Sequence, residues 1–167
     1  MLCRPKTGYF MAQIDGCEPF KVGFNAERDS VVTLAAALPK GVHHARVMYV
    51  IEGLFRKPEF RGFVLDKGCQ LVEAPALPER KIEFIGNSIT CGYGVESINR
   101  SDPFEDETEN HWLTYANIVS DSLKAQHTSI SRSGIGVYRN YNGPKTGDAD
   151  NMSWQYEYTL FDQHDEK

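Results

Sequence analysis

The chain has 167 residues, 41% of them hydrophobic and 25% charged, enough apolar matter for one ordinary domain or two small ones, which excludes wholesale disorder. A net charge of -5 gives no reason to expect a nucleic-acid partner. No apolar run is long enough to cross a bilayer, so no membrane is implied, and Met1-Leu-Cys-Arg-Pro-Lys-Thr7 lacks the basic-then-apolar pattern of a signal peptide.

The first 73 residues read as β-structure. Tyr9–Ile14, Ser30–Leu34, Val42–Ile51 and Phe60–Leu65 are strand-like, and Asp15-Gly16 is a turn signal. Short strands at this spacing predict a sandwich or barrel. Ala74-Pro-Ala-Leu-Pro-Glu-Arg80, with its two prolines, reads as a link between domains. Ile82–Ile85 is predicted to be a buried strand. After a polar, acidic loop from Glu96 to Glu109, Asn110 is a candidate N-cap, and Trp112, Tyr115, Ala116, Val119 and Leu123 fall on one face of a helix. A further strand is expected at His127–Ser131. Strand, turn, helix and strand in this order begin a parallel α/β sheet.

The four cysteines, Cys3, Cys17, Cys69 and Cys91, form no Cys-x-x-Cys pair. A zinc ribbon or a thioredoxin-type redox site is therefore not suggested. They read as mostly free, small, buried apolar residues, with Cys91 packing beneath the turn that follows Ile85. No metal or cofactor is implied, since Asp148, Asp150 and Asp162 do not have an EF-hand pattern.

The chemistry centres on Gly86-Asn-Ser-Ile-Thr90. Gly86 and Asn87 break the strand and place Ser88 just past its end, where open α/β sheets hold their ligands. Thr90 stands where a Gly-x-Ser-x-Gly elbow needs its second glycine, so this is not an α/β-hydrolase elbow. A plain Ser/Thr/Asn turn is the bland alternative. A second block, Ser131-Arg-Ser-Gly-Ile-Gly-Val-Tyr-Arg-Asn-Tyr-Asn142, follows the next strand. It is not a dinucleotide fingerprint, because Arg139 occupies the third glycine position. An ordinary glycine-rich turn is the alternative there.

Gly86-Asn87-Ser88-Ile89-Thr90 resembles the first signature of the SGNH (GDSL) hydrolases, with Asn where the family usually has Asp. The longer string Glu79–Gly94, and the second block with its Arg139-Asn140-Tyr141, resemble carbohydrate esterase family 2. These are deacetylases of plant-wall polysaccharide that carry a small β-sandwich ahead of the SGNH domain. The resemblance implies a two-domain chain: a jelly-roll-like all-β sandwich over 1–73, a linker over 74–80, and the start of an α/β SGNH-hydrolase domain with a parallel sheet over 81–167. It implies Ser88 as catalytic nucleophile and, by its own N–H, as one oxyanion donor, with Gly136 first and Gly134 second as further donors. Tyr141 is the substrate-binding candidate, because aromatic rings stack on sugars. Tyr138, Trp154, Tyr156 and Tyr158 read as ordinary packing.

Two parts of the family's machinery have no counterpart here. The sequence contains no Gly-x-Asn-Asp block for a third oxyanion donor. The base is expected in an Asp-x-x-His or Asp-x-His motif, and Asp162-Gln-His164 fits only superficially, in the wrong order and in an acidic tail. His43 and His44 fall on a predicted sandwich strand, and His111 and His127 read as surface or cap residues. The chain is thus expected to be a fragment shortened at both ends and inactive alone, with the catalytic His and oxyanion Asn elsewhere. The expected partner is an acetylated polysaccharide or oligosaccharide, and the expected location, by family, is secreted or periplasmic. A carbohydrate-binding module, or an inactive remnant, is the alternative from another class.

Overall fold

The computed structural model describes residues 2–4, 8–24, 29–54 and 56–158, with side chains described from residue 8 onward. Asp162 and His164 lie outside the described residues. Strands β1 (Leu2–Arg4), β2 (Gly8–Ile14), β3 (Phe20–Phe24), β4 (Ser30–Val31), β5 (Ala45–Tyr49) and β6 (Glu59–Gly62) come first. They form two three-stranded antiparallel sheets, in the orders β4-β1-β6 and β3-β2-β5. At the end of β2, Asp15 (φ 51°) and Gly16 (φ 72°) are both left-handed, and the Cys17 N–H donates to the Ile14 carbonyl at 2.9 Å. Two left-handed central residues make this the tight turn that Asp-Gly signals.

The β-rich reading of this region holds, and Tyr9–Ile14 lies within β2, but the later strands are shorter than the apolar runs suggested. Ser30–Leu34 is a strand only as far as Val31, and Val42–Ile51 only over Ala45–Tyr49. His43 and His44 precede β5 in a loop, where the His43 ring bonds Asp15 at 2.6 Å and the Pro39 carbonyl at 2.8 Å. The core of this part gathers Phe10 and Phe24, stacked at 5.8 Å, with Val22, Val32, Leu34, Val47 and Tyr49 around them.

Strand β7 (Lys81–Gly86) then pairs in parallel with β8 (Gln126–Ser131). Ile82–Ile85 was expected to be buried. Instead its residues alternate, and Ile85 is 51% exposed, because β8 is the one strand paired with β7 among the described residues. Between β7 and β8 lie α1 (Ser88–Cys91) and α2 (Tyr115–Ser122), and α3 (Met152–Gln155) follows β8.

The single helix expected after Asn110 is two pieces. Asn110 does cap, its side chain accepting from the Trp112 N–H, but it caps a 3-10 turn over His111–Leu113. Helix α2 starts afresh after Thr114, whose hydroxyl donates to the His111 carbonyl at 2.8 Å. This break rotates the buried face. Trp112, Ala116, Asn117 and Ser120 are buried, whereas Tyr115, Val119 and Leu123 remain partly exposed. Arg46 of β5 lies over the Trp112 ring at 4.2 Å and bonds Asn117 and Asp121 of α2 at 2.8 and 3.0 Å.

Candidate active site

In the β7–β8 ladder Gly86 is opposite Ser131. Parallel pairing in this register sets the Ser88 turn and the Ser131–Asn142 block at the same carboxyl ends of neighbouring strands. At Gly86 a Cβ would collide with the Thr90 side chain, so the strand must end on glycine for the chain to fold back closely. Asn87 caps α1, its Oδ1 accepting from the Ile89 N–H at 3.2 Å. Only an acceptor is needed there, which asparagine supplies as well as the aspartate usual in the resembling family. Ser88, the first helical residue, is half-buried, and its carbonyl accepts from the Gly92 and Tyr93 N–H groups at 3.0 Å each.

Beneath the turn, Thr90 and Cys91 are buried. The Thr90 hydroxyl bonds the Tyr115 hydroxyl at 2.8 Å. The Cys91 Sγ bonds the Ser131 Oγ at 3.3 Å, and burial pushes its thiol up to about 12. A neutral buried thiol is a packing residue and a poor nucleophile, as the sequence reading held.

The second block is held tightly. Gly134 is left-handed, with φ 79°. A Cβ at Gly136 would strike the Arg139 backbone. The Gly136 N–H donates to the Asn140 Oδ1 at 3.0 Å, and its carbonyl accepts from the Met152 N–H at 2.8 Å. Asn140 is fixed in turn by Asp148 and Asp150. Both backbone groups of Gly136 are thus engaged. The Gly134 carbonyl accepts from the Tyr141 N–H at 2.7 Å, while none of the hydrogen bonds among the described residues uses the Gly134 N–H. Tyr141 is 82% exposed, and with Gly134, Tyr93, Phe104 and Arg56 it lines a cavity of about 470 Å³. Of the other aromatic residues, Trp154 lies 5.0 Å from Tyr158 and the Tyr156 hydroxyl donates to Glu83 at 2.7 Å, whereas Tyr138, expected to pack, is 63% exposed.

Two carboxylates escaped the sequence reading. Glu109, assigned to the end of a polar, acidic loop, is 2% exposed. Glu52, between β5 and β6, accepts from the Ser133 N–H at 2.8 Å, next to Gly134, and its own N–H donates to Glu109 at 3.2 Å. Burial and the neighbouring Glu52 charge push the Glu109 carboxyl up to about 8. Glu52, Glu109 and Cys91 bring their carboxylate oxygens and thiol sulfur within 4.8 Å of one another. This is the one grouping with metal-ligand spacing among the described residues. No local signal could have found it, because its members are far apart in sequence.

The histidines also differ from expectation. His111 and His127 are partly buried and bonded to each other, Nε2 to Nε2, at 3.1 Å. The His111 Nδ1–H donates to the Thr90 carbonyl at 2.8 Å, which leaves its Nε2 to accept from His127. Desolvation lowers the pKa of both rings. They line a second cavity of about 760 Å³ with Arg46, Met48, Cys91 and Ser129. Among the described residues no hydrogen bond joins Ser88 to an imidazole, and Ser88 lines neither of these cavities.

A family model described as the carbohydrate esterase 2 N-terminal region matches residues 3–75. The chain is also similar to the cellulase/esterase CelE of Acetivibrio thermocellus, at 39% identity over 137 residues, a span that takes in the Ser88 turn as well. The chain is thus similar to carbohydrate esterase family 2 proteins in its N-terminal part and around the Ser88 turn. That match covers 81% of the chain and 16% of CelE. An acetylxylan esterase / glucomannan deacetylase of Cellvibrio japonicus is 34% identical over 128 residues, which are 74% of this chain and 34% of that protein. A solved family two carbohydrate esterase from Clostridium thermocellum, in complex with cellohexaose, superposes with a TM-score of 0.83 at 36% identity. It is covered over 48% of its length, by 96% of this chain. The chain therefore spans a sixth to about half of the relatives it matches.

Proposed function

We propose that this chain is the nucleophile-bearing part of a carbohydrate O-acetyl esterase that removes acetyl groups from plant-wall polysaccharide of the xylan or mannan type. The observation that carries this is the Gly86–Ser131 register, which sets the Ser88 turn beside the glycine block at one end of a parallel sheet. The names of the relatives support it.

On this reading Ser88 Oγ attacks the acetyl carbonyl, a base removes its proton, and the same proton returns to the leaving sugar hydroxyl. The developing oxyanion is met by the Ser88 N–H and by the Gly134 N–H. Gly136 takes second place, because Asn140 already occupies its N–H. Losing one such donor costs about 3–4 kcal/mol of transition-state stabilisation. Tyr141, exposed at the cavity rim, offers its ring to a sugar. The catalytic His and the oxyanion Asn belong to sequence outside this chain, in keeping with a solved relative of which the chain covers 48%. The division into a jelly-roll-like sandwich over 1–73, a linker over 74–80 and an SGNH part over 81–167 agrees with the change from antiparallel to parallel pairing. Export to the cell exterior or periplasm would bring the enzyme to its substrate. Among the described residues no helix is long and apolar enough to cross a membrane.

The test is acetate release from acetylated xylan and from an acetylated aryl ester by the full-length protein carrying these residues. Ser88→Ala should lower turnover by at least about 1,000-fold with the fold intact, and the 167-residue chain alone should show no turnover above its own Ser88→Ala control. Wild-type turnover in the variant would remove the nucleophile assignment. Oligosaccharide binding by a full-length protein without any hydrolysis would make it a carbohydrate-binding module.

A further inference from the structure

Glu109 is a side chain almost without water and almost without partners. Among the described residues one donor reaches its carboxylate, the Glu52 N–H at 3.2 Å on Oε2. Its Oε1 is fully buried and has no hydrogen-bond partner among the described residues. The Glu52 carboxylate lies within 4.8 Å, and it is itself an acceptor while ionised. Two acceptors can bond only if one of them carries a proton.

Among the described residues no Lys or Arg side chain forms an ion pair with the Glu109 carboxylate, although Arg56 and Arg132 line the same cavity. Facing Glu109 are Tyr49 from β5, the neutral Cys91 thiol from α1, and Asp106 from its own segment. Arg56 is paired with Asp106 at 2.8 Å, and Arg132 approaches Asp150 at 3.6 Å. Lys21 bonds Glu96 and the Glu109 backbone carbonyl, not the carboxylate.

The pair sits between the two halves of the candidate site. On one side the Glu109–His111 segment buttresses the nucleophile turn: the Asn110 N–H donates to the Gly92 carbonyl at 3.1 Å, and His111 bonds the Thr90 carbonyl. On the other side the Glu52 Oε2 holds the Ser133 N–H at 2.8 Å, one residue before Gly134.

We infer that Glu109 and Glu52 share a single proton, and that this acid pair positions the Ser133–Gly134 backbone against the Ser88 turn. Glu109 Oε1–H donates to the Glu52 carboxylate, the pair carries one net negative charge, and the charge stays on the oxygens that grip the Ser133 N–H. Loss of the proton to solvent at higher pH leaves two like charges in contact, and Glu52 swings away from Ser133. Both residues are positioning residues, and their catalytic meaning rests on the esterase reading above. The acid pair itself is read without any turnover, so its failure is distinguishable from the failure of that reading.

The experiment measures amide exchange at Ser133 and Gly134 by NMR on the 167-residue chain, together with infrared detection of a protonated carboxyl. In the wild type, protection of Ser133 should fall up to about tenfold between about pH 7 and pH 9, because one unit above a pKa of about 8 roughly a tenth of the pairs keep the proton. Glu109→Gln keeps the shape and provides a permanent N–H donor to Glu52. It should retain the protection and lose the pH dependence, and it should lack the carboxylic-acid C=O stretch present in the wild type near neutral pH. Glu52→Ala should lower Ser133 protection at every pH. In the full-length esterase, kcat should fall over the same alkaline range in the wild type and not in Glu109→Gln, with KM unchanged. Equal pH dependence of Ser133 in wild type and Glu109→Gln, absence of a protonated carboxyl near pH 7, or tight Zn²⁺ binding that Glu109→Gln removes would each overturn the proposal, the last by replacing the proton with a metal.

Discussion

Gly92→Ala tests how the Ser88 turn is locked. Gly92 ends α1 in the left-handed region, with φ 91°. A non-glycine residue there costs about 1–2 kcal/mol from backbone strain alone. The new Cβ would also lie 2.5 Å from the Asn110 carbonyl oxygen, 2.6 Å from its carbon and 3.0 Å from the His111 nitrogen. All three are backbone atoms, so the segment must retreat by roughly 1 Å to reach ordinary contact. That segment is pinned by Asn110 N–H to the Gly92 carbonyl at 3.1 Å, His111 N–H to the Val50 carbonyl at 2.9 Å and His111 Nδ1–H to the Thr90 carbonyl at 2.8 Å. Each bond contributes about 1 kcal/mol net, so weakening most of them adds about 2–3 kcal/mol, for a total near 3–5 kcal/mol. Gly16→Ala is the matched control, since Gly16 is also left-handed (φ 72°) but has nothing within 4 Å of its Cβ position. It should cost about 1–2 kcal/mol. Urea unfolding reads both: with a slope of about 2 kcal/mol/M, Gly92→Ala lowers the midpoint by about 1.5–2.5 M and Gly16→Ala by less than about 1 M. Midpoints that agree within about 0.3 M would refute the close approach of Gly92 to the Glu109–His111 segment.

Two further outcomes follow from the same turn and its support. Asn87→Asp keeps the acceptor on the Ile89 N–H and should leave stability and turnover of the full-length enzyme within about tenfold of wild type, or ~1.4 kcal/mol, whereas Asn87→Ala should cost about 1 kcal/mol in the urea midpoint. Desolvation lowers the pKa of His111 and His127, so below the ordinary histidine value of about 6.5 the unfolded chain takes up protons first. Their contribution to stability is therefore full above that value and is lost as the pH falls toward the folded pKa. The urea midpoint should drop between about pH 7.5 and pH 5, and drop less in His127→Gln; an equal drop in both would refute the linkage.

Local signals carried the elements that frame the site. The β-rich run before Gly86, the Asn-Ser break and the strand at His127–Ser131 all lie where the sequence placed them, because each is written in a few adjacent residues. The turn at Asp15-Gly16 was legible for the same reason. The division of one expected helix at Thr114 was not, because the spacing from Trp112 to Tyr115 suits a continuous helix and a 3-10 turn equally. Strands β1 and β3 escaped notice, since three residues show no period and Gly23 interrupts the other. Glu109 looked like one more acidic loop residue. The donor to its carboxylate is the Glu52 N–H, 57 positions away, and the Glu52 grip on Ser133 spans 81 positions. The engagement of Gly136 by Asn140 was likewise invisible in a glycine-rich string read for donors.

The contact of Arg46 with Trp112, Asn117 and Asp121 has a bearing on how such a protein can be rearranged by recombination. It ties an antiparallel strand to the helix between the two parallel strands. The Val50 carbonyl on the His111 N–H and the Glu52 carboxylate on Ser133 add two more ties of the same kind. A gene fusion that replaced residues 3–75 with an unrelated sugar-binding unit would remove all three at once. The grafted chain would keep Ser88 and lose the contacts that hold its surroundings. These three ties favour moving the N-terminal segment together with the Ser88 turn, and a swap of that segment should lower the stability of what remains.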